Sequence, residues 1–393
     1  MKKILIFATL FLTLCCGCSA NPLLPEKVKM DQLAMVQLLG VDRADDEKIK
    51  VTVLERDIED VEMGQGSQGG NSSSTANSAK DSPGHISAEA ETLAKAQTEL
   101  QINTQKDLFF GHMDYLIIGE SAAADGLYEY VNYIIRESVI PLNSQMYIAK
   151  GDAGKLMERA DKMPYFLPDY LSIFMNNKDI SFQTSQKTIM DFFADSNSDQ
   201  RISTVPLLDV SGGKNPQPEL KGYAVLKDYK KVGYLEGDEA KGYNILHNLY
   251  NNENLQIHDS DGKNAALTVD YMSTQIIPEI KKGKLQKVYV HCKVKSNVAE
   301  DQGKDDFNKD AIVKHAENEQ TRIIEGYIKS ALKASQEMGT DVINLFKTVR
   351  IMDSNYYKSV RKDWDKIYKD VPFDVTVNSK IQRGNSSRNG KEE

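Results

Sequence analysis

The sequence predicts a mixed α/β (α+β) chain of three consecutive domains, each a mixed β-sheet with packed helices. An apolar run at 116–118, a helical pattern at 125–137 and an apolar run at 145–149 follow one another. This order of strand, helix and strand is typical of a partly parallel sheet. Apolar and polar residues alternate at 288–294, as in a half-buried strand. An apolar stripe over 324–338 predicts a long amphipathic helix.

The first eighteen residues have the pattern of a secretion signal. Two lysines precede an apolar run at 4–14, which is too short to cross a bilayer because a spanning helix needs about 20 residues. The run leads to Gly17 and Cys18, which resemble the lipobox of bacterial lipoproteins, although Cys15 stands where that motif usually has Leu. We therefore expect residues 1–17 to be a signal peptide that is cleaved between Gly17 and Cys18.

Cys18 is then the expected lipidation site, with an S-diacylglycerol on its thiol and an N-acyl group (palmitate) on its amine. Several acyl chains at one residue anchor a protein durably, because each buried methylene contributes about 0.8 kcal/mol. The mature chain would be lipid-anchored on the outer face of the cell membrane. Ordinary secretion, or cleavage at Cys16, is the alternative.

Composition narrows the classes of partner. The formal net charge is −8 at pH 7, and loss of the two signal lysines makes it −10 (47 basic against 57 acidic residues). An acidic chain of this kind argues against nucleic acid as a partner. No later apolar run reaches about 18 residues, so no second segment is expected to span the membrane. Cys292 is the only cysteine outside the signal and the anchor, so an internal disulfide is not possible.

The N-terminal α/β domain is expected to cover 18–199. Strands at 33–36 and 51–54 begin it, and the Gly-, Ser- and Asn-rich stretch at 63–83 predicts a disordered loop, because it has little apolar surface to offset the entropy of ordering. Three glycines in this loop match G-x-G-x-x-G, but no strand leads into them and no helix begins there, so dinucleotide binding is not predicted. Ser87 is expected to cap the helix that follows.

A middle domain is expected at 200–284, after the polar stretch 195–200. Its predicted elements are strands at 223–226 and 232–235 joined by a five-residue connection, a helix at 237–250 and a strand at 268–271. The segment 259–262 (Asp-Ser-Asp-Gly) begins like a calcium loop but lacks the later acidic ligands, so a hairpin turn is predicted there.

The C-terminal domain is expected at 285–382, followed by a flexible tail at 383–393. Its predicted elements are the alternating strand at 288–294, the long helix ended by Gly339, a helix at 342–349 capped by Thr340 or Asp341, and a closing strand at 373–378. Trp364 is expected to pack in the core of this domain, with an interface role as the alternative.

No catalytic or metal-binding set is evident in the sequence. The six histidines contain no H-E-x-x-H pair, and His291 and Cys292 are strand neighbours that point to opposite faces. No G-x-S-x-G or Walker motif occurs. We predict no enzyme activity, no cofactor and no metal, while a glycosidase-like carboxylate pair stays open because the chain has 57 Asp and Glu residues.

Four separated blocks carry a family resemblance. They are 33–42 (LAMVQLLGVD); 112–120 (HMDYLIIGE) with Gly126, Leu127, Arg136 and 149–151; 222–235 (GYAVLKDYKKVGYL); and 336–341 (QEMGTD) with Trp364 downstream. In these blocks, and in the lipobox before them, the chain resembles the C-subunit lipoprotein of the spore germinant receptor, the Ger(x)C family.

The resemblance implies a three-domain α/β lipoprotein without catalytic residues. It implies a role in nutrient sensing during spore germination, at the spore inner membrane, together with an integral-membrane A subunit and an integral-membrane B subunit. The partners implied are thus the lipid bilayer, through Cys18, and these two subunits; direct binding of a germinant stays open. The matched glycines also have a structural interpretation as turn positions.

Two other functions remain as alternatives. The first is a solute-binding lipoprotein that delivers a small ligand to a transporter, although the two similar lobes usual in such proteins are not evident in the sequence. The second is an envelope hydrolase with a carboxylate pair across a cleft.

Overall fold

The structure of the protein, a computed structural model, describes residues 32–45, 47–56, 85–163, 166–176, 185–211, 213–249, 254–303, 305 and 307–382. Within these ranges the strands form a nine-stranded sheet and a four-stranded sheet, with eleven α-helices packed on them. Gly17, Cys18, the loop 63–83 and the tail 383–393 lie outside the described residues, so the anchor, the loop and the tail stay predictions. Among the described helices, none has the length and apolar character needed to span a membrane.

The nine-stranded sheet occupies the N-terminal part of the chain. Its strands are β1 (Leu33–Arg43), β2 (Ile49–Arg56), β3 (His85–Ala90), β4 (Asp107–Phe109), β5 (Tyr115–Ile118), β6 (Gln145–Ala149), β7 (Ile202–Val210), β8 (Pro218–Lys227) and β9 (Lys230–Glu236). Their order is β3-β2-β1-β5-β6-β7-β8-β9, with β4 beside β1. The central strands β1, β5, β6 and β7 run parallel, which confirms the prediction of a partly parallel sheet.

Helices cover both faces of this sheet. They are α1 (Leu93–Ile102), α2 (Glu120–Asp125), α3 (Tyr128–Arg136), α4 (Ala153–Ala160), α5 (Leu167–Asn176) and α6 (Ile189–Ser196). Helices α4 and α5 bury their apolar side chains in one core, and the other four helices bury theirs in a second core. The strands between the two cores are therefore apolar on both faces, as the fully buried pattern of β5 and β6 shows.

Two local predictions were wrong. Ser87 does not cap a helix: it lies in β3, which pairs with β2, and α1 begins after Thr92, whose Oγ1 accepts from Lys95 N at 3.2 Å. The β8–β9 connection has two residues instead of five. Asp228 and Tyr229 take left-handed φ values of 50° and 67°, which suit the twist of a tight hairpin.

The four-stranded sheet forms the C-terminal part. Its strands are β10 (Asn254–His258), β11 (Asn264–Lys281), β12 (Lys284–Asp301) and β13 (Phe373–Gln382). The helices here are α7 (Asp238–Leu246), α8 (Asp310–Glu337), α9 (Leu345–Met352), α10 (Ser354–Val360) and α11 (Trp364–Asp370). β11 and β12 form a long antiparallel hairpin, and β13 lies parallel beside β12. The predicted turn at 259–262 does connect two antiparallel strands, β10 and β11.

Helix α8 covers one face of this sheet. Cys292 and its alternate neighbours on β12 are buried in the same core as Ile324 and Ile328 of α8, whereas His291 is exposed on the other face. The opposite orientation of His291 and Cys292 is thus confirmed. Trp364 is 1% exposed in this core, which confirms the predicted packing.

The two sheets share their apolar packing. Tyr223, Val225 and Leu235 of the nine-stranded sheet lie in the core that also contains the inner face of the four-stranded sheet. The strands expected in one middle domain are divided between the sheets, since β7 to β9 belong to the first and β10 and β11 to the second. The three-domain division at 18–199, 200–284 and 285–382 stays a prediction.

Candidate functional site

The first two sequence blocks meet at the carboxyl end of the parallel strands. Asp42, near the end of β1, is 3% exposed. Its Oδ1 accepts from Ala153 N at 2.7 Å and its Oδ2 from Gly154 N at 2.8 Å, at the start of α4. Burial raises the pKa of Asp42, and these two hydrogen bonds act in the opposite direction. The Asp42 carboxyl group therefore binds the first backbone amides of α4, where the helix dipole is positive, and so joins the start of α4 to β1.

Gly119 and Gly151 complete this junction. Gly119 N donates to Val41 O at 2.8 Å, and Glu120 N donates to Gly151 O at 2.7 Å. A Cβ atom at Gly119 would overlap Oδ1 of Asp42, so the residue leaves the space that the carboxyl group occupies. The matched positions Asp42, Gly119 and Gly151 thus have a structural explanation.

An ion pair joins this junction to the third block. Lys231 Nζ, on β9, lies 2.7 Å from Glu120 Oε1 and 3.1 Å from the hydroxyl oxygen of Tyr234. The hydrogen bond from Lys231 is the main reason that the pKa of Glu120 is lowered. This contact ties β9 to the start of α2.

The third and fourth blocks also meet. Gly233 on β9 leaves room for the thioether of Met338, because a Cβ atom at Gly233 would overlap that sulfur. Gly222 has φ +133°, and a Cβ atom there would overlap the carbonyl oxygen of Leu235. The hairpin thus packs directly against the end of α8.

Asp341 organises the end of the fourth block. It is 1% exposed and accepts from Leu345 N at 3.0 Å, Phe346 N at 2.8 Å and Trp364 Nε1 at 3.0 Å. Burial raises its pKa to about 6, although these hydrogen bonds lower it. Of the two predicted caps, Asp341 is the one that binds the first amides of α9.

Buried hydrogen bonds between the nine-stranded sheet and helix α7 were not predicted. Tyr223 donates its hydroxyl to Asn244 Oδ1 at 2.6 Å, and the hydroxyls of Thr204 and Tyr243 are 2.7 Å apart. Residues in each pair are distant in sequence, and no local pattern marks them. They fix α7 against the nine-stranded sheet.

The geometry offers little for catalysis. In the described part of the chain, no group of three or more His, Cys, Asp or Glu side chains could hold a metal ion. A polar cleft of about 480 Å³ lies where β5 and β6 begin, with His112, Asp114 and Ser172 among its lining residues. Its size would admit a small solute.

Two family models match successive parts of the chain, and together these parts contain the four sequence blocks. The model described as the spore germination protein N-terminal domain matches residues 26–210, and the model described as spore germination B3/GerAC like, C-terminal, matches residues 221–385. The chain belongs to the GerAC-like family of spore germination proteins. Membership confirms the resemblance seen in the sequence and supports the prediction that this GerAC-like chain is not an enzyme.

A solved structure agrees with the fold of this GerAC-like chain. The crystal structure of the GerBC protein matches with a TM-score of 0.52 and 18% identity, over 87% of this chain and 96% of that chain. At this level of identity the likeness concerns the fold, which is mixed α/β as predicted. No match was found among curated proteins.

Proposed function

We propose that this GerAC-like chain is the lipid-anchored C subunit of a nutrient germinant receptor. It acts with integral-membrane A and B subunits at the outer face of the spore inner membrane. The observation that carries the proposal is the pair of successive family matches over 26–210 and 221–385. The pattern of a signal peptide at 1–17, followed by Cys18, supports the anchor.

The anchor supplies the first part of the mechanism. Lipid on Cys18 confines the folded body to one membrane surface, which raises its effective concentration for partners in the same membrane.

The folded body supplies the second part. The junctions at Asp42 and Asp341 join separate elements into one packed unit, with neither carboxylate placed for chemistry. A packed body of this kind suits a subunit that works through contacts with its partners. The A and B subunits are inferred from the family resemblance.

The anchor is tested with Cys18→Ala, and Cys16→Ala is the matched control inside the signal. Radiolabelled palmitate and membrane fractionation in a spore former report the lipid. We expect Cys18→Ala to lose label and leave the membrane, and Cys16→Ala to keep both. The reverse result would place the lipid on Cys16, and two labelled, membrane-bound variants would refute Cys18 as the one required lipidation site.

The receptor role is tested by deletion. In a strain that lacks its other germinant receptors, removing this chain should abolish nutrient-triggered germination, and restoring it should recover the response. Germination by a non-nutrient trigger is the control for spore viability. An unchanged nutrient response after deletion would refute the role.

A further inference from the structure

The outer face of the four-stranded sheet carries exposed lysines. Alternate residues of β12 are buried against α8, so that Lys293 and Lys295 point outward and are exposed. Lys380 of β13 is also exposed and lies directly opposite Lys295. None of these three lysines forms an ion pair with a described residue. We call Lys293, Lys295 and Lys380 the lysine face.

The acidic groups near this face have partners. Asp374 Oδ2 lies 3.2 Å from Lys287 Nζ, and Glu279 Oε1 lies 2.7 Å from Lys281 Nζ. Asp270 accepts a hydrogen bond from the neutral amide of Asn297 at 2.6 Å, which leaves its negative charge uncompensated. With this one carboxylate against the three lysines, the face keeps a net positive charge, although the whole chain has a net charge of −8.

The lysine face brings two like charges close together. Lys295 and Lys380 are register partners in the parallel pair of β12 and β13, and two like charges at such a separation in water repel each other, although weakly. An anionic partner would turn this repulsion into attraction. The register thus favours a negatively charged occupant.

Aromatic and apolar groups accompany the lysines. Lys295 Nζ lies 5.6 Å from the ring centre of Tyr271, which is opposite it on β11 and 49% exposed. Tyr289 stacks beside His291, and its cross-strand neighbour Ile277 is 41% exposed. Lysine heads beside tyrosine rings are typical of surfaces that meet lipid headgroups.

We propose that the lysine face docks on an anionic lipid surface. This inference rests on the membrane location in the proposed function, since the tether would hold the folded body at the bilayer. The segment 19–31 between Cys18 and the described chain reaches about 45 Å at most, so the body stays near the headgroups. Weak contacts are then sufficient to orient it.

Shape and residue type favour lipid over an acidic protein. The outward residues 287–295 follow one strand of a sheet for roughly 27 Å, and Lys293 and Lys295 occupy about the last 7 Å of that stretch. Lysine offers a hydrated point charge and lacks the planar fork with which arginine selects a particular carboxylate. A small, exposed group of lysines on a sheet surface therefore suits interchangeable headgroups.

The test separates this face from the anchor. The mature chain, residues 18–393 with Cys18→Ser, carries no lipid, so its binding reports the folded body alone. Co-sedimentation is measured with vesicles of phosphatidylcholine and with vesicles that also contain phosphatidylglycerol, at low and high salt. If this chain does not bind vesicles, lipidation of Cys18 and the receptor role are unaffected, because separate experiments test them.

Each lysine near an anionic membrane surface increases the binding affinity by about fivefold. Replacing all three with glutamine (Lys293→Gln, Lys295→Gln, Lys380→Gln) should therefore weaken binding to phosphatidylglycerol vesicles by about a hundredfold. Replacing all three with arginine should keep it, because the charge is retained. The matched control is Lys314→Gln, Lys329→Gln and Lys333→Gln on α8, where the side chains are 69%, 60% and 76% exposed.

The expected result is salt-sensitive binding to anionic vesicles alone, lost in the lysine-face variant and kept in the α8 variant. Thermal unfolding verifies that both variants are folded. The proposal is overturned if the parent chain does not co-sediment with anionic vesicles. This holds even if an acidic protein or a nucleic acid binds the lysine face. Equal losses in the two glutamine variants would also overturn it.

Discussion

Trp364 donates its indole Nε1–H to Oδ2 of Asp341 across 3.0 Å, and both side chains are only 1% exposed. The bond joins the start of α11 to the connection between α8 and α9. Two backbone amides of α9 share the same carboxyl group. A buried carboxyl group of this kind makes stability depend on pH.

The direction of that dependence follows from the pKa of Asp341, which burial raises from 3.8 to about 6. The folded chain holds a proton there more tightly than the unfolded chain, so the contribution of Asp341 to the free energy of unfolding falls as pH rises from about 4 to about 6. The fall is on the order of 3 kcal/mol. Asp341→Asn should lack it.

Urea unfolding of the parent chain and Asp341→Asn at several pH values in that window measures the effect. The difference between the two free energies isolates Asp341 from other titrating groups. We expect the Asn variant to gain stability relative to the parent as pH rises. Parallel curves would show that Asp341 has an ordinary pKa.

Hydrophobic periodicity in the sequence correctly predicted those strands and helices in which one face is buried. The strands at 116–118, 288–294 and 373–378 and the helix before Gly339 have strong periodicity, and all are present. Ser87 misled the prediction because a serine before acidic residues resembles a helix cap. Its strand is instead set by pairing with β2, and that pairing is not visible in a local window.

The candidate site was visible only as separate motifs. The sequence marked Asp42, Gly119 and Gly151 as members of family blocks. Their meeting depends on the contact between Asp42 and Ala153, which lie 111 positions apart. No spacing rule predicts such a contact without the sheet order. The sequence therefore identified the residues but not their shared structural role.

Gly119→Ala should destabilise the chain by about 1–3 kcal/mol, because the new Cβ atom overlaps Asp42 Oδ1. The backbone of Gly119 has φ −66° and ψ 154°, which alanine adopts freely, so the cost comes from space alone. Urea unfolding measures it. In Gly119→Ala with Asp42→Ala, the combined loss should be smaller than the sum of the single losses.

Gly326→Ala is the matched control. Gly326 is exposed within α8 and has no heavy atom within 4 Å of an added Cβ, so this variant should gain about 0.5–1 kcal/mol. Similar changes in stability for Gly119→Ala and Gly326→Ala would contradict the packing explanation.

Cys292 should be protected from thiol reagents in the folded chain. It is 1% exposed, and burial raises the pKa of its thiol, so little reactive thiolate forms. In the mature chain with Cys18→Ser it is the only cysteine, and a colour reagent for thiols therefore reports it alone. We expect slow labelling without denaturant and one equivalent in urea. Prompt labelling of the folded chain would contradict its burial.

Asp199 should link helices α9 and α10 to the nine-stranded sheet, with a small contribution to the free energy of unfolding. It lies in the stretch predicted as a domain boundary, and its Oδ2 accepts from Tyr357 Oη at 2.5 Å and from Arg350 Nη1 at 3.0 Å. Arg350 and Asp199 are each 50% exposed, so Asp199→Asn should cost at most about 1 kcal/mol in unfolding free energy.

The specific effect of Asp199→Asn should be local. Hydrogen exchange of the backbone amides in α9 and α10 should become several-fold faster, because these helices lose their link to the nine-stranded sheet. Glu91→Gln is the control, since it breaks an exposed ion pair with Lys95 that lies far from these helices in sequence. If α9 and α10 exchange equally fast in both variants, Asp199 does not join the sheets, and their relative position depends on the shared apolar core around Tyr223.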